Sequence, residues 1–198
     1  MRKFLQDLKQ RRYRYRQFLG GIFLLCIVFF ARPVLWLLIS GTILCVLGNT
    51  VRLWAAGHVR KSKELERHGP YAFVRHPQYL GNSLIAIGLS LAAGLPLAVL
   101  IWVVLFLGFY VPAIRREDAK LHRRFEEDWE KWAARTPAVV PLHGAPDNPG
   151  VHAAEWSLLQ ALKNGEPAWL ITIGGSLWLL WSIWTGEVDT TLAFLVNI

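Results

Sequence analysis

Residues 18–57 form a continuous stretch of 40 residues whose only charges are Arg32 and Arg52. Such a run cannot be hidden in a small water-soluble core, and it constrains the fold more than any other feature. One bilayer crossing takes ~20 apolar residues, so the stretch fits two helices joined near Ala31-Arg32-Pro33, where proline suits a helix start. A second apolar block, 79–113, is broken by the turn signal Gly94-Leu95-Pro96. A third, 168–185, carries Trp169, Trp178, Trp181 and Trp184. Only 18% of residues are charged, against about 25% in soluble domains. Disordered chains, coiled coils and most soluble enzymes are excluded. The expected fold is all-α: an integral membrane helical bundle of about five transmembrane helices.

The positive charge tests this topology. Lys and Arg number seven in residues 1–16, five in 58–78 and eight in 114–167, so these segments hold 20 of the 22 in the chain. Five spans with the N-terminus inside put all three segments on the cytoplasmic face. Arg32 then faces out, and Arg52 is expected to snorkel from an inner helix end. The net charge of +8 therefore reflects membrane topology, and no nucleic acid partner is expected. The reading divides the chain into a basic segment (1–17), a four-span core with its polar segments (18–143), and a linker with an additional C-terminal span (144–198). The first span extends back through Tyr13 and Tyr15. Phe4, Leu5 and Leu8 suit either a basic topogenic tail or a short surface helix; no cleaved signal peptide is expected. Cys26 and Cys45 lie in apolar runs without CxxC spacing and read as small buried hydrophobes. The scattered His residues suggest no metal site.

Two polar segments remain for chemistry. The first ends in Gly69-Pro70-Tyr71-Ala72-Phe73-Val74-Arg75-His76-Pro77-Gln78-Tyr79-Leu80-Gly81. His76 precedes a proline and is biased to extended backbone, and Pro77 can open the third span. Arg75, His76 and Tyr79 then surround a helix N-terminus, which favours an anionic group; an interfacial anchor is the alternative. His58 and His68 read as solvated or interfacial, and Asn49 and Asn82 as groups that bond between helices. In the second segment, helical spacing places Leu121, Phe125, Trp129 and Trp132 on one stripe, with Glu117 four residues before Leu121. Glu117 is then either a carboxylate on the buried face that needs a partner or a first-turn acid stabilised by the helix dipole.

The string GPYAFVRHPQYLG resembles the GPYxxxRHPxYxG motif of the isoprenylcysteine carboxyl methyltransferase family and its bacterial relatives; phospholipid methyltransferases carry a similar element. The second segment resembles that family's EExxLxxxFGxxYxxY helix through Glu117-Asp118, Leu121, Phe125, Trp129 and Trp132. Arg52-Leu53-Trp54-Ala55 is similar to its RxWA. The resemblance spans roughly residues 40–142. It implies a membrane methyltransferase that binds S-adenosylmethionine at the cytoplasmic face without a Rossmann domain. Leu65, Tyr71, His76, Pro77, Gln78, Tyr79 and Glu117 would form the cofactor site, and Arg75, His76 and Glu117 would serve catalysis. Arg75 would either place the cofactor carboxylate or brace the loop. A lipophilic small molecule or lipid would enter from the bilayer, among the membrane lipids.

The departures are specific. The arginine that the isoprenylcysteine enzymes carry one turn before the acidic pair falls near Ala113-Ile114, the family FG reads Phe125-Glu126, and both its Tyr positions are Trp. The resemblance thus implies the cofactor but not a prenylcysteine acceptor. The alternative reading is an NADPH-dependent membrane reductase of the sterol-reductase type, whose RHPNYxGE-like element differs here at Gln78 and Asn82.

Overall fold

The computed structural model describes residues 18–58, 65–142 and 156–187. These form helices α1 (Phe18–Phe29), α2 (Leu35–His58), α3 (Pro77–Ala92), α4 (Ala98–Leu105), α5 (Val111–Ala133), α6 (Leu158–Lys163) and α7 (Glu166–Thr185). A short 3₁₀ turn (Gly69–Ala72) precedes α3, and a π-helical segment (Phe106–Tyr110) joins α4 to α5. No strand occurs among the described residues. The expected class, an all-α membrane bundle, is borne out.

The breaks fall where proline and glycine dictate. Arg32-Pro33 separates α1 from α2, Pro77 opens α3, and Gly94-Leu95-Pro96 separates α3 from α4. Pro112 has no N–H to donate to the preceding turn, and the wide π turn lies directly before it. Among the described residues, three helices are long and apolar enough to cross a membrane: α2, the continuous run Ala98–Ala133, and α7. The two other expected spans, α1 and α3, are shorter; α3 has 16 residues, ~24 Å of helix. Tyr13, Tyr15 and the basic N-terminal segment lie outside the described residues.

The chain divides into two compact units. One takes its described residues from 18–44, 86–113 and 174–187. Its outer face is apolar: Leu97, Leu100 and Val104 are 76%, 63% and 69% exposed, a surface suited to hydrocarbon rather than water. Inside, small residues bring backbones together. A Cβ on Gly41 would overlap the Gly88 carbonyl and the Ala92 amide. Arg32 N–H donates to Ala93 C=O at 2.7 Å, and Gly94 (φ 73°) leaves no room for a side chain beside the Arg32 carbonyl. Trp181 Nε1 donates to Thr42 Oγ1 at 3.3 Å.

The other unit takes its described residues from 45–58, 65–85, 114–142 and 156–173 and holds the C-terminal half of α2, the 3₁₀ turn, the start of α3, most of α5, α6 and the start of α7. Its core is Ala55, Tyr71 and Trp132, with Leu65 and Trp129 packed against it. Gly48 lets α2 and α3 approach: a Cβ there would lie 2.7 Å from the Gly81 carbonyl.

Gly41→Val is expected to lower stability by about 2 kcal/mol, the usual scale for overpacking. Gly174→Ala, at a position with open space around it, is expected to leave the melting temperature unchanged or slightly raised. Thermal melts in one detergent compare the two.

Candidate functional site

The loop before α3 is built around two backbone constraints. Gly69 has φ 56°, which favours glycine, and a Cβ there would come within 2.7 Å of the His58 ring. Rather than solvated, His58 is buried and bonds the Trp54 carbonyl through Nδ1 at 2.9 Å. Pro70 accepts from the Phe73 and Val74 amides at 3.2 Å each, closing the turn. Tyr71, Ala72 and Val74 are buried, so the chain emerges with Arg75 and His76 at the mouth of α3. Tyr79 N–H then bonds the His76 carbonyl at 3.0 Å.

Arg75 and His76 meet the second polar segment through Asp118. Arg75 donates to the Asp118 carboxylate from Nη2 at 2.9 Å and from Nε at 3.4 Å. His76 Nε2 lies 2.9 Å from Asp118 Oδ1. The remaining guanidinium nitrogen donates to the carbonyls of Ala133 (3.2 Å) and Thr136 (2.6 Å). Arg75 and His76 N–H also bond the carbonyls of Pro137 (2.8 Å) and Ala138 (2.9 Å). Arg75 therefore braces the strap that follows α5. Burial raises the Asp118 pKa, but hydrogen bonds and charge from His76 and Arg75 outweigh it, and the carboxyl titrates below its ordinary value.

Glu117 lies elsewhere than expected. Its side chain is 50% exposed, whereas Ile114 is buried and Asp118, Leu121 and Phe125 are half-buried. The inward face thus follows a 4-3-4 spacing through Asp118, and Glu117 sits on its flank. It still reaches the site: Tyr79 OH donates to Glu117 Oε2 at 3.0 Å, and His76 Nδ1 lies 3.7 Å from the same oxygen. The single expected stripe also fails at Glu126, whose φ 41°, ψ −113° breaks the helix inside α5. Across that corner His122 Nε2 meets Glu130 Oε1 at 2.7 Å. Beyond it, Trp132 Nε1 donates to the Tyr71 carbonyl at 3.2 Å.

Of the other expected residues, Tyr71 and Leu65 belong to the aromatic core, Pro77 is fully buried, and Gln78 is half-buried in the first turn of α3. Burial, and secondarily the negative charge of Glu66, Glu117 and Glu166, pushes the Tyr71 phenol above its ordinary pKa, so it stays protonated. Two buried polar atoms near the site have no partner among the described residues: Nε1 of Trp129, which the sequence placed on the helix stripe, and Oγ1 of Thr136, which it did not single out. Both flank Arg75, which bonds the Thr136 carbonyl and lies 5.8 Å from the Trp129 ring centre. The 4-3-4 spacing could have pointed to Asp118; nothing local marks Thr136.

Arg52 does not snorkel. It is buried, with Nη2 donating to Glu166 Oε1 at 2.9 Å and Nη1 to Asn82 Oδ1. Its guanidinium carbon lies 4.3 Å from the Trp169 ring centre. A carboxylate within reach makes burial cheaper than stretching to water. Asn82 thus bonds between helices, as expected. The C-terminal carbonyls of α2 are also taken up: Leu53 accepts from Trp156 Nε1, Ala56 from Asn164 Nδ2 and Gly57 from Ser157 N–H.

Residues 34–128 match the family described as phospholipid methyltransferase. A protein-S-isoprenylcysteine O-methyltransferase of Schizosaccharomyces pombe is 30% identical over 90 residues, 43% of this chain and 38% of that protein. The expected resemblance to the isoprenylcysteine carboxyl methyltransferase-like family holds. A nickel-cobalt-cadmium resistance protein of Alcaligenes xylosoxydans xylosoxydans is 37% identical over 108 residues, 53% of this chain and 50% of that protein. A cobalt-zinc-cadmium resistance protein of Cupriavidus metallidurans is 35% identical over 153 residues, 73% of this chain and 62% of that protein. This chain therefore spans only 50% and 62% of those two relatives. No solved structure matches it. The family match includes Arg52, the loop before α3 and the Asp118 helix, and stops before Thr136 and Glu166.

Asp118→Asn is expected to cost about 2 kcal/mol at neutral pH, the scale of a charge-assisted hydrogen bond. Because the folded-state pKa is lowered, Asp118 contributes fully above its ordinary value of ~3.9 and loses that contribution as pH falls through the lower folded value. Melts across an acid series are therefore expected to fall less steeply in the variant than in the wild type. At the corner, Glu126→Gly removes a side chain from a backbone conformation that costs of order 1 kcal/mol. It is expected to raise the melting temperature, against the usual effect of glycine in a helix.

Proposed function

We propose that this chain is an S-adenosylmethionine-dependent methyltransferase acting within the membrane on a lipophilic small molecule or lipid. One observation carries the reading. The start of α3 and the acidic pair of α5 are 42 residues apart at His76 and Asp118, yet they close into one constellation of Arg75, His76, Tyr79, Glu117 and Asp118. The family resemblance supports the same reaction class.

The residues present suit such a cofactor. Its ammonium and sulfonium call for negative charge, and the half-exposed Glu117 offers a carboxylate held by Tyr79. Its polar groups call for donors, and Thr136 Oγ1 and Trp129 Nε1 are buried donors without partners among the described residues. Its adenine suits an aromatic, apolar wall, which Leu65, Tyr71, Pro77 and Gln78 would help to form. When bound, S-adenosylmethionine supplies an electrophilic methyl group on its sulfonium.

The protein's task is then positioning and exclusion of water. All three guanidinium nitrogens of Arg75 are engaged, which favours its role as the brace of the strap. His76, with Nε2 on Asp118 and Nδ1 facing Glu117, would fix the spacing of the two carboxylates. No nucleophile on the enzyme would be required, because the acceptor's own lone pair would take the methyl group as its bond to the sulfonium breaks, with S-adenosylhomocysteine as the leaving group. The core would comprise 18–143, with 144–198 added to it. The site and the N-terminus would be cytoplasmic, since 20 of the 22 Lys and Arg lie in segments assigned to that face.

Calorimetric titration of the detergent-solubilised protein with S-adenosylhomocysteine, beside NADPH, tests the reading. Binding of S-adenosylhomocysteine is the expected result; binding of NADPH alone overturns it in favour of a reductase. Glu117→Gln is expected to weaken S-adenosylhomocysteine about tenfold or more, near the 1.4 kcal/mol that one charged contact readily supplies, with an unchanged melting temperature for the unliganded protein. Wild-type affinity would remove Glu117 from the site.

A further inference from the structure

The buried ion pair of Arg52 and Glu166 joins segments that the family match separates. Arg52 and Asn82 lie inside the matched residues 34–128, while Glu166 and Trp169 lie beyond them. Both charged side chains are nearly water-free, at 5% and 3% exposure. A buried pair of this kind is weak evidence for stability, because removal from water offsets much of the attraction. Its effect on position is better defined. Arg52 holds Asn82 with one nitrogen and Glu166 with another, and the Trp169 ring packs on the guanidinium.

The surrounding backbone is shaped to admit Arg52. A Cβ on Gly81 would come 2.6 Å from Arg52 Cγ, so the glycine that closes the RHPxYxG string makes space for its stem. Asn82 lies one turn after Gln78 and Tyr79 on α3. Next along α2, Trp54 packs on Phe73 (ring centres 6.1 Å apart), Ala55 on the Tyr71 core, and His58 against Gly69. Arg52 thus sits where the depth of α2 against both the loop and the first turns of α3 is set. Trp156, Ser157 and Asn164 hold the same end of α2 through its carbonyls.

We propose that Glu166 is a positioning residue for the site: acting through Arg52 and Asn82, it fixes the first turns of α3 and so the placement of His76 and Tyr79. The segment after the family match thereby completes a site whose ligating groups lie elsewhere. The ligand part of this inference rests on the methyltransferase reading; the positional part does not.

The test replaces the pair by apolar side chains of similar reach, Arg52→Met with Glu166→Met, so that no charge is left buried alone. In the full chain in detergent, amide hydrogen exchange at residues 78–83 is expected to rise about tenfold, while exchange in the first half of α7 changes little. S-adenosylhomocysteine affinity is expected to fall about tenfold in a protein that still melts cooperatively. Wild-type exchange at 78–83 would overturn the proposal, and so would unchanged affinity in a variant whose wild type binds. If the wild type binds no S-adenosylhomocysteine, the cofactor reading fails and the exchange contrast alone decides the positional claim. Should the double variant not fold, Glu166→Asp keeps the charge and shortens the reach; a rise of about threefold at 78–83 supports the proposal and wild-type exchange overturns it.

Discussion

The ion pair of Arg75 and Asp118 is the interaction on which the polar half of this protein depends. Arg75 leaves a buried loop beside a helix mouth, and without a partner its charge would be costly there. Asp118 supplies the countercharge, and the geometry of the guanidinium does the rest. The nitrogen not facing Asp118 takes the last carbonyl of α5 and that of Thr136, so the strap after the helix is tied to the loop before α3. His76 joins the same carboxylate. A single side chain thereby gathers three separate pieces of chain. The lowered pKa of Asp118 is the titration signature of that arrangement.

Local backbone chemistry made part of this legible from sequence. Pro77, Gly94-Pro96 and Arg32-Pro33 punctuate helices because their constraints act on their own and adjacent residues, whatever the tertiary surroundings. Ala133 ends α5 as the Thr136-Pro137 sequence suggests. The choice between Glu117 and Asp118 was not legible in the same way. Adjacent residues on a helix differ by about 100° in direction, and Leu121 can be reached from 117 by a step of four or from 118 by a step of three. Extending the stripe to Trp129 and Trp132 favoured Glu117, but the corner at Glu126 means that those residues do not share one straight helix with it.

The partner of Arg52 was hidden for another reason. Glu166 is 114 residues away, at the head of an apolar helix where an acidic first turn looks like ordinary dipole chemistry. Nothing near either residue signals the other. The same holds for the C-terminal carbonyls of α2, which an isolated helix would leave to water and which here meet Trp156, Ser157 and Asn164. An arginine inside an apolar run is a stronger pointer to a distant acid than to a snorkelling side chain whenever the helix end is itself covered.

The corner inside α5 has a consequence for how the aromatic core is held. The related pattern places glycine where this chain has Glu126, and the observed φ of 41° explains why a residue without a side chain suits that point. With a glutamate there, relaxation of the corner toward a regular helix would relieve backbone strain. That relaxation would carry Trp129 and Trp132 away from Tyr71, against the packing and the indole hydrogen bond that hold them. The aromatic core is therefore closed against a spring wound into its own supporting helix, and the indole packing is what keeps that spring compressed.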